Sequence, residues 1–236
     1  MCADSSGDWP THHHAHPEVP AWLRRTRGEA RLPVVVAILA AIVLQAVLPD
    51  RLAIRPRWLL PVLEMALLIG LSVFNPLRMN RSHPAARFAS LALTALITMA
   101  NAVSAALLIH AILTRHGGSD PITLLGSGAA IYITNVVAFA LWYWEMDRGG
   151  PISRADALDS HPDFLFAQMA TPEIAHPDWE PTFIDYLYVS FTNATAFSPT
   201  DTLPLSRWGK ILMAVQSAIA LAVVALVIAR AVNILS

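Results

Sequence analysis

The chain has 236 residues, of which 55% are hydrophobic and 14% charged, and its mean hydropathy is +0.50. Soluble domains carry nearer about a quarter charged residues, so composition points to a membrane. A net charge of −1 offers nothing to a nucleic-acid backbone. Cys2 is the single cysteine, which leaves no intrachain disulfide and no cysteine metal cluster.

Residues 1–30 read as a disordered and juxtamembrane tail. Pro10, Pro17, Pro20 and Gly7 break the first stretch, which also holds His12, His13, His14 and His16. Four histidines this close suit a transition metal, yet a solvated tail without a defined site is the weightier reading. Arg24, Arg25, Arg27 and Arg31 then precede an apolar run. No small-x-small cleavage site follows, so these arginines are expected near lipid headgroups rather than in a signal peptide.

Residues 31–118 form a three-helix membrane region, with apolar runs over 32–48, 58–74 and 88–113. Residues 119–236 form a second region: an outer helix over 122–144, an acidic loop over 145–182, a broken apolar segment over 183–202 and a last helix over 207–235. The runs are rich in Ala and Leu and lack period-two alternation, so sheets are not expected. The loop carries Asp147, Asp156, Asp159, Asp163, Glu173, Asp178 and Glu180 with five prolines. Phe164, Leu165, Phe166 and Trp179 are expected to pack it onto the membrane part.

Ionisable residues within apolar runs are costly and point to function. Glu64 is the clearest, a candidate intramembrane ion or proton site. The plainer alternative pairs it with Arg55 or Arg57, or leaves it neutral between helices. Gln45, Asn101, His110, Asn135 and Gln216 read as hydrogen-bonding glue between helices. Ala214, Ala218, Ala222, Ala225 and Ala229 form a small-residue stripe suited to close helix packing. The sequence holds no Gly-rich phosphate loop, no HExxH and no GxSxG. Asp159, His161, Asp163, His176 and Asp178 lack a recognised metal-ligand spacing. The expectation is therefore no enzyme, no cofactor and no metal site. Nor does any apolar run carry arginine at every third position, so a voltage sensor is not expected.

The segment before the last helix is the most specific. Aligned on Asp201, it reads Thr195, Ala196, Phe197, Ser198, Pro199, Thr200, Asp201, then Pro204 and Trp208-Gly209-Lys210. It resembles the pore loop of the potassium-channel superfamily, over about a quarter of the chain when 131–147 is counted as the outer helix. The flank matches in type and spacing. The filter departs: Ser198 and Thr200 stand where that family has glycines, and Pro199 where it has tyrosine. The block Asp185-Tyr186-Leu187-Tyr188-Val189-Ser190-Phe191-Thr192 is closer still to one in uncharacterised bacterial multi-pass membrane proteins.

The resemblance implies an all-α, polytopic helical membrane protein of about five transmembrane helices, with a re-entrant pore-type half-helix before the last. It implies a homotetramer in a bacterial-type plasma membrane, passing monovalent cations with weak or no selectivity. Without glycines the alternating carbonyl ladder of a potassium filter is disfavoured. The alternative is a non-conducting membrane scaffold or sensor whose acidic loop binds a partner or metal. A channel-like orientation leaves Arg51, Arg55, Arg57 and Arg115 inside against eleven basic residues outside. The positive-inside rule therefore favours an N-terminus on the cytoplasmic side.

Overall fold

A computed structural model describes residues 19–26, 28–74, 84–114, 120–195 and 201–235. The His-rich run 12–16 and the filter positions Ala196, Phe197, Ser198, Pro199 and Thr200 lie outside these. The described part is mostly helical. The helices are α1 (Leu32–Val47), α2 (Leu59–Phe74), α3 (Pro84–Leu113), α4 (Pro121–Met146), α5 (Pro151–Ala155), α6 (Ala167–Ala170), α7 (Phe183–Thr195) and α8 (Arg207–Leu235). Prolines open α3, α4 and α5 and stand second in α1, where a missing N–H costs nothing. Asp120 caps α4 by accepting from the backbone of Ile122 and Thr123 at 3.2 and 3.0 Å.

Among the described residues, three helices, α3, α4 and α8, are long and apolar enough to cross a membrane. At about 1.5 Å per residue they reach roughly 40 Å, against a hydrocarbon core of about 30 Å. The helices α1 and α2 are apolar but have 16 residues each, roughly 24 Å.

The bundle is built around α4. Of its most apolar window 72% is buried inside the chain, against 39% for α3 and 22% for α8. It touches α1, α3, α7 and α8, while α2 packs on α1 and α3. One core gathers Ile38, Leu71, Leu93, Leu141, Tyr143, Trp144, Phe164 and Tyr186 at the end where α4 finishes. A second gathers Leu52, Leu108, Ile112, Ile131, Val223 and Val227 at the opposite end. There Gly128 lets α8 approach closely: a Cβ on it would stand 2.9 Å from a Val227 methyl.

The 13-residue α7 starts beside Trp144, on whose ring Phe183 packs edge-on. It ends with Ala194 clustered against Val136 of α4 and Ala220 of α8. Val136 stands ten residues before the end of α4, about 15 Å along it. The chain is back at the first end by β2 (Leu203–Pro204), which pairs antiparallel with β1 (Phe164–Leu165). This pairing corrects the expectation of no sheet. Two residues per strand are too few to leave a periodic signal, and the partners lie far apart in sequence. The loop packs as expected: Phe164 and Phe166 are buried, and Trp179 lies against Phe166.

The turn after α4 has three successive residues with left-handed backbone, Arg148, Gly149 and Gly150. Gly150 has φ +97°, and a Cβ there would stand 2.8 Å from the carbonyl oxygen of Glu145. Gly150→Ala should therefore lower stability by about 1–3 kcal/mol, read as a fall in the thermal midpoint in detergent. Gly126→Ala, inside α4 with open space for its Cβ, should not lower the midpoint and should raise it by the equivalent of up to about 1 kcal/mol.

Candidate functional site

Gln216, in α8, is fully buried and uses every side-chain valence. Its Oε1 accepts from the Tyr143 hydroxyl at 2.5 Å and from Asn193 Nδ2 at 2.8 Å. Its Nε2 donates to the Ser190 carbonyl at 2.9 Å and to Ser190 Oγ at 2.7 Å. Ser190 in turn donates to the Val136 carbonyl at 2.6 Å. Asn193 also donates to the Met213 carbonyl at 2.9 Å, and Ser217 to the Asn193 carbonyl at 3.0 Å. One amide thus ties α4, α7 and α8 together, a use its two donors and two acceptor sites permit. Asn135 Nδ2 adds a longer bond to the Gln216 carbonyl at 3.4 Å.

A second polar cluster closes the end of the bundle where α4 finishes. Asp147, fully buried, accepts from the backbone N–H of Asp163 at 2.8 Å and from the Tyr186 hydroxyl. Asp163 accepts from the Arg148 backbone N–H at 3.0 Å and the Trp208 indole at 2.9 Å. Arg148 donates to the carbonyls of Asp159 and Trp22 at 2.8 and 2.6 Å. These bonds hold a non-glycine residue at φ 51°, a conformation worth about 1 kcal/mol of strain. Arg154 donates to the Trp144 and Asp147 carbonyls at 2.7 and 2.9 Å and stands 3.8 Å from Glu29. Glu29 accepts from the Trp144 indole at 2.7 Å and from the Phe183 backbone N–H.

Burial raises the Glu29 carboxyl above its ordinary value, opposed by the Trp144 hydrogen bond and the Arg154 charge. Burial lowers Arg31, opposed by the charge of Glu145.

The residues singled out by sequence fall in separate places. Thr195 closes α7, its hydroxyl donating to the Thr192 carbonyl at 2.8 Å. Asp201 is exposed. The Trp208-Gly209 pair is anchored to the acidic loop: Trp208 through Asp163, Gly209 by lying against Phe164. Glu64 is fully buried in α2, with the Gln45 side chain of α1 as the hydrogen-bonding group beside it. Arg57 binds Asp50 at 2.6 Å and the Ala46 carbonyl at 2.6 Å, so it is not the partner of Glu64. Among the described residues no three His, Cys, Asp or Glu side chains come together as a metal-holding group.

Sequence reasoning missed Glu29, Arg154 and the pairing of Asp147 with Tyr186. The first two are 125 residues apart and belong to no motif. Comparison with family models, with curated proteins and with solved structures gives no match.

Gln216→Leu orphans the Tyr143, Ser190 and Asn193 groups at about 1–3 kcal/mol each. It should cause a large fall in thermal midpoint, with Ser217→Ala costing much less. Because folding raises the Glu29 pKa, its stabilising share is complete below about pH 4.5, the ordinary value, and is lost as pH rises through the folded-state pKa. Midpoints measured against pH should fall over that window in the parent and stay flatter in Glu29→Gln.

Proposed function

We propose that the chain is a helical integral membrane protein of pore-loop architecture, in which α7 is a re-entrant half-helix and α8 the inner helix. The observation that carries this reading is the path of α7. It leaves the acidic-loop end, stops beside Val136 and Ala220, and the chain is again at its starting end by Leu203. Backbone that turns at such a depth is stable only when buried in protein or lining water. On this reading α1 and α2 complete five spans, with the N-terminus on the cytoplasmic side.

Two outward faces support assembly into a homotetramer. Ile184, Tyr188 and Phe191 of α7 are about half exposed in the single chain. The small-residue stripe of α8 also points outward, with Ala214, Ala218, Ala225 and Ala229 exposed. In four chains around an axis, these faces meet copies, and Thr195 and Asp201 flank a wide path for monovalent cations. Glu64, buried beside Gln45, is a second cation or proton position on this reading.

A non-conducting scaffold is favoured by a different observation, the saturated bonding of Gln216, which seals α7 against α4 and α8. Single cysteines at Phe197, Ser198 or Thr200 in a Cys2→Ser background decide between the two. The channel reading expects intersubunit disulfides and cation flux from reconstituted protein, with little preference between potassium and sodium, altered by Glu64→Gln. A monomer without crosslink or flux gives the scaffold.

A further inference from the structure

A cavity of about 450 Å³ lies between the starts of α1 and α3 and the end of α4, within the range of small-molecule sites. Its polar part holds Arg31, Arg87, Ser90 and Glu145, and its floor includes Val34, Ile38 and Leu71. A second, apolar groove of about 390 Å³ runs between α1 and α2. The two share Val35 and Leu68 as walls, so a polar recess continues into an apolar channel.

The charges favour an anion. Glu145 is buried, accepts from the Ser90 hydroxyl and lies amid Arg154, Arg87 and Arg31. Asp156, also lining the cavity, pairs with Arg25 at 3.5 Å, and Glu29 stands against Arg154. At the recess itself, Arg31 and Arg87 face a single buried carboxylate, that of Glu145. Arg31 is itself buried and held in place by donation to the Leu71 carbonyl at 2.6 Å. Arg87 is exposed at the mouth, donating to the Gly149 carbonyl.

Depth fits as well. Arg31 precedes α1, Arg87 is in the first turn of α3 and Glu145 in the last turn of α4. That is the helix end beside Arg24 and Arg25, the level at which lipid phosphates lie. From Arg31 to Leu39 the groove wall is eight residues long, about 12 Å, room for the upper half of an acyl chain.

We propose that this cleft is a phospholipid site, taking an anionic glycerophospholipid with its phosphate at Arg31 and Arg87 and one acyl chain between α1 and α2. The site is independent of whether the chain conducts ions.

The test is native mass spectrometry and thermal unfolding of the detergent-purified chain with phosphatidylglycerol, phosphatidylcholine or inorganic phosphate. Phosphatidylglycerol should bind about tenfold more tightly than phosphatidylcholine and raise the midpoint, while inorganic phosphate alone should not. Arg87→Gln should weaken phosphatidylglycerol binding about tenfold, the scale of one lost charge-assisted hydrogen bond. Arg87→Lys should retain much of it. Val35→Trp, at a half-buried position, should block binding without lowering the lipid-free midpoint. Equal binding of the two lipids, the same stabilisation by inorganic phosphate, or unchanged binding in both Arg87→Gln and Val35→Trp overturns the proposal. Should Arg87→Gln fail to fold, the Val35→Trp result and the lipid preference decide alone.

Discussion

The fold depends on giving a short helix enough partners. The helix α7 has 13 residues and is amphipathic, with Ser190, Thr192 and Asn193 in its second half. Alone it would be marginal in water and costly in lipid. Gln216 resolves this with four hydrogen bonds from one side chain, three of them into α7 and one into α4. A hydrophobic residue there would pack but leave buried donors and acceptors unmet, each costing about as much as a whole hydrogen bond is worth. The three-helix unit α4–α7–α8 is therefore specified by polarity, and its apolar contacts then fill the remaining space.

At the bundle end the same logic operates with charge. Asp147, Arg148 and Arg154 are buried beside one another, an arrangement that desolvation opposes. It persists because backbone takes up much of the charge: Arg148 and Arg154 donate to the carbonyls of Trp22, Trp144, Asp147 and Asp159, and Asp147 accepts from the Asp163 N–H, although Arg148 Nη2 and Arg154 Nη2 have no hydrogen bond among the described residues. The cluster thus works as a set of side-chain caps for irregular backbone. It fixes the left-handed turn at Arg148 and seats the start of α8 through Trp208.

Much of the helical class was legible in the sequence, because long apolar runs without period-two alternation are local signals. The segments expected over 32–48, 58–74, 88–113, 122–144 and 207–235 all recur as helices, with α3 beginning earlier, at Pro84. Among the described residues, only α3, α4 and α8 have the length of a full span. Gln216 was readable as glue, since a lone amide in an apolar helix has few other uses. Its partners were not, because Tyr143, Ser190 and Asn193 meet it through tertiary geometry alone. The Trp208-Gly209 pair stood out as a motif, and its physical basis here is contact with Asp163 and Phe164, which lie over 40 residues earlier. The Glu29–Arg154 contact had no signal at all: both residues sit in stretches that look like ordinary charged flanks.

The position of Gln216 also sets an order of events during synthesis. The last residue of α7 is made 21 positions before Gln216, roughly one to four seconds earlier at typical elongation rates. During that interval Ser190 and Asn193 have no amide to bind, and α7 is not apolar enough to settle among lipids by itself. Its docking against α4 must wait for α8, so a helix made later completes the structure of the segment before it. A chain stopped short of Gln216 would retain α1 to α4 and release α7 to the surface, where a protease or chaperone would meet it first.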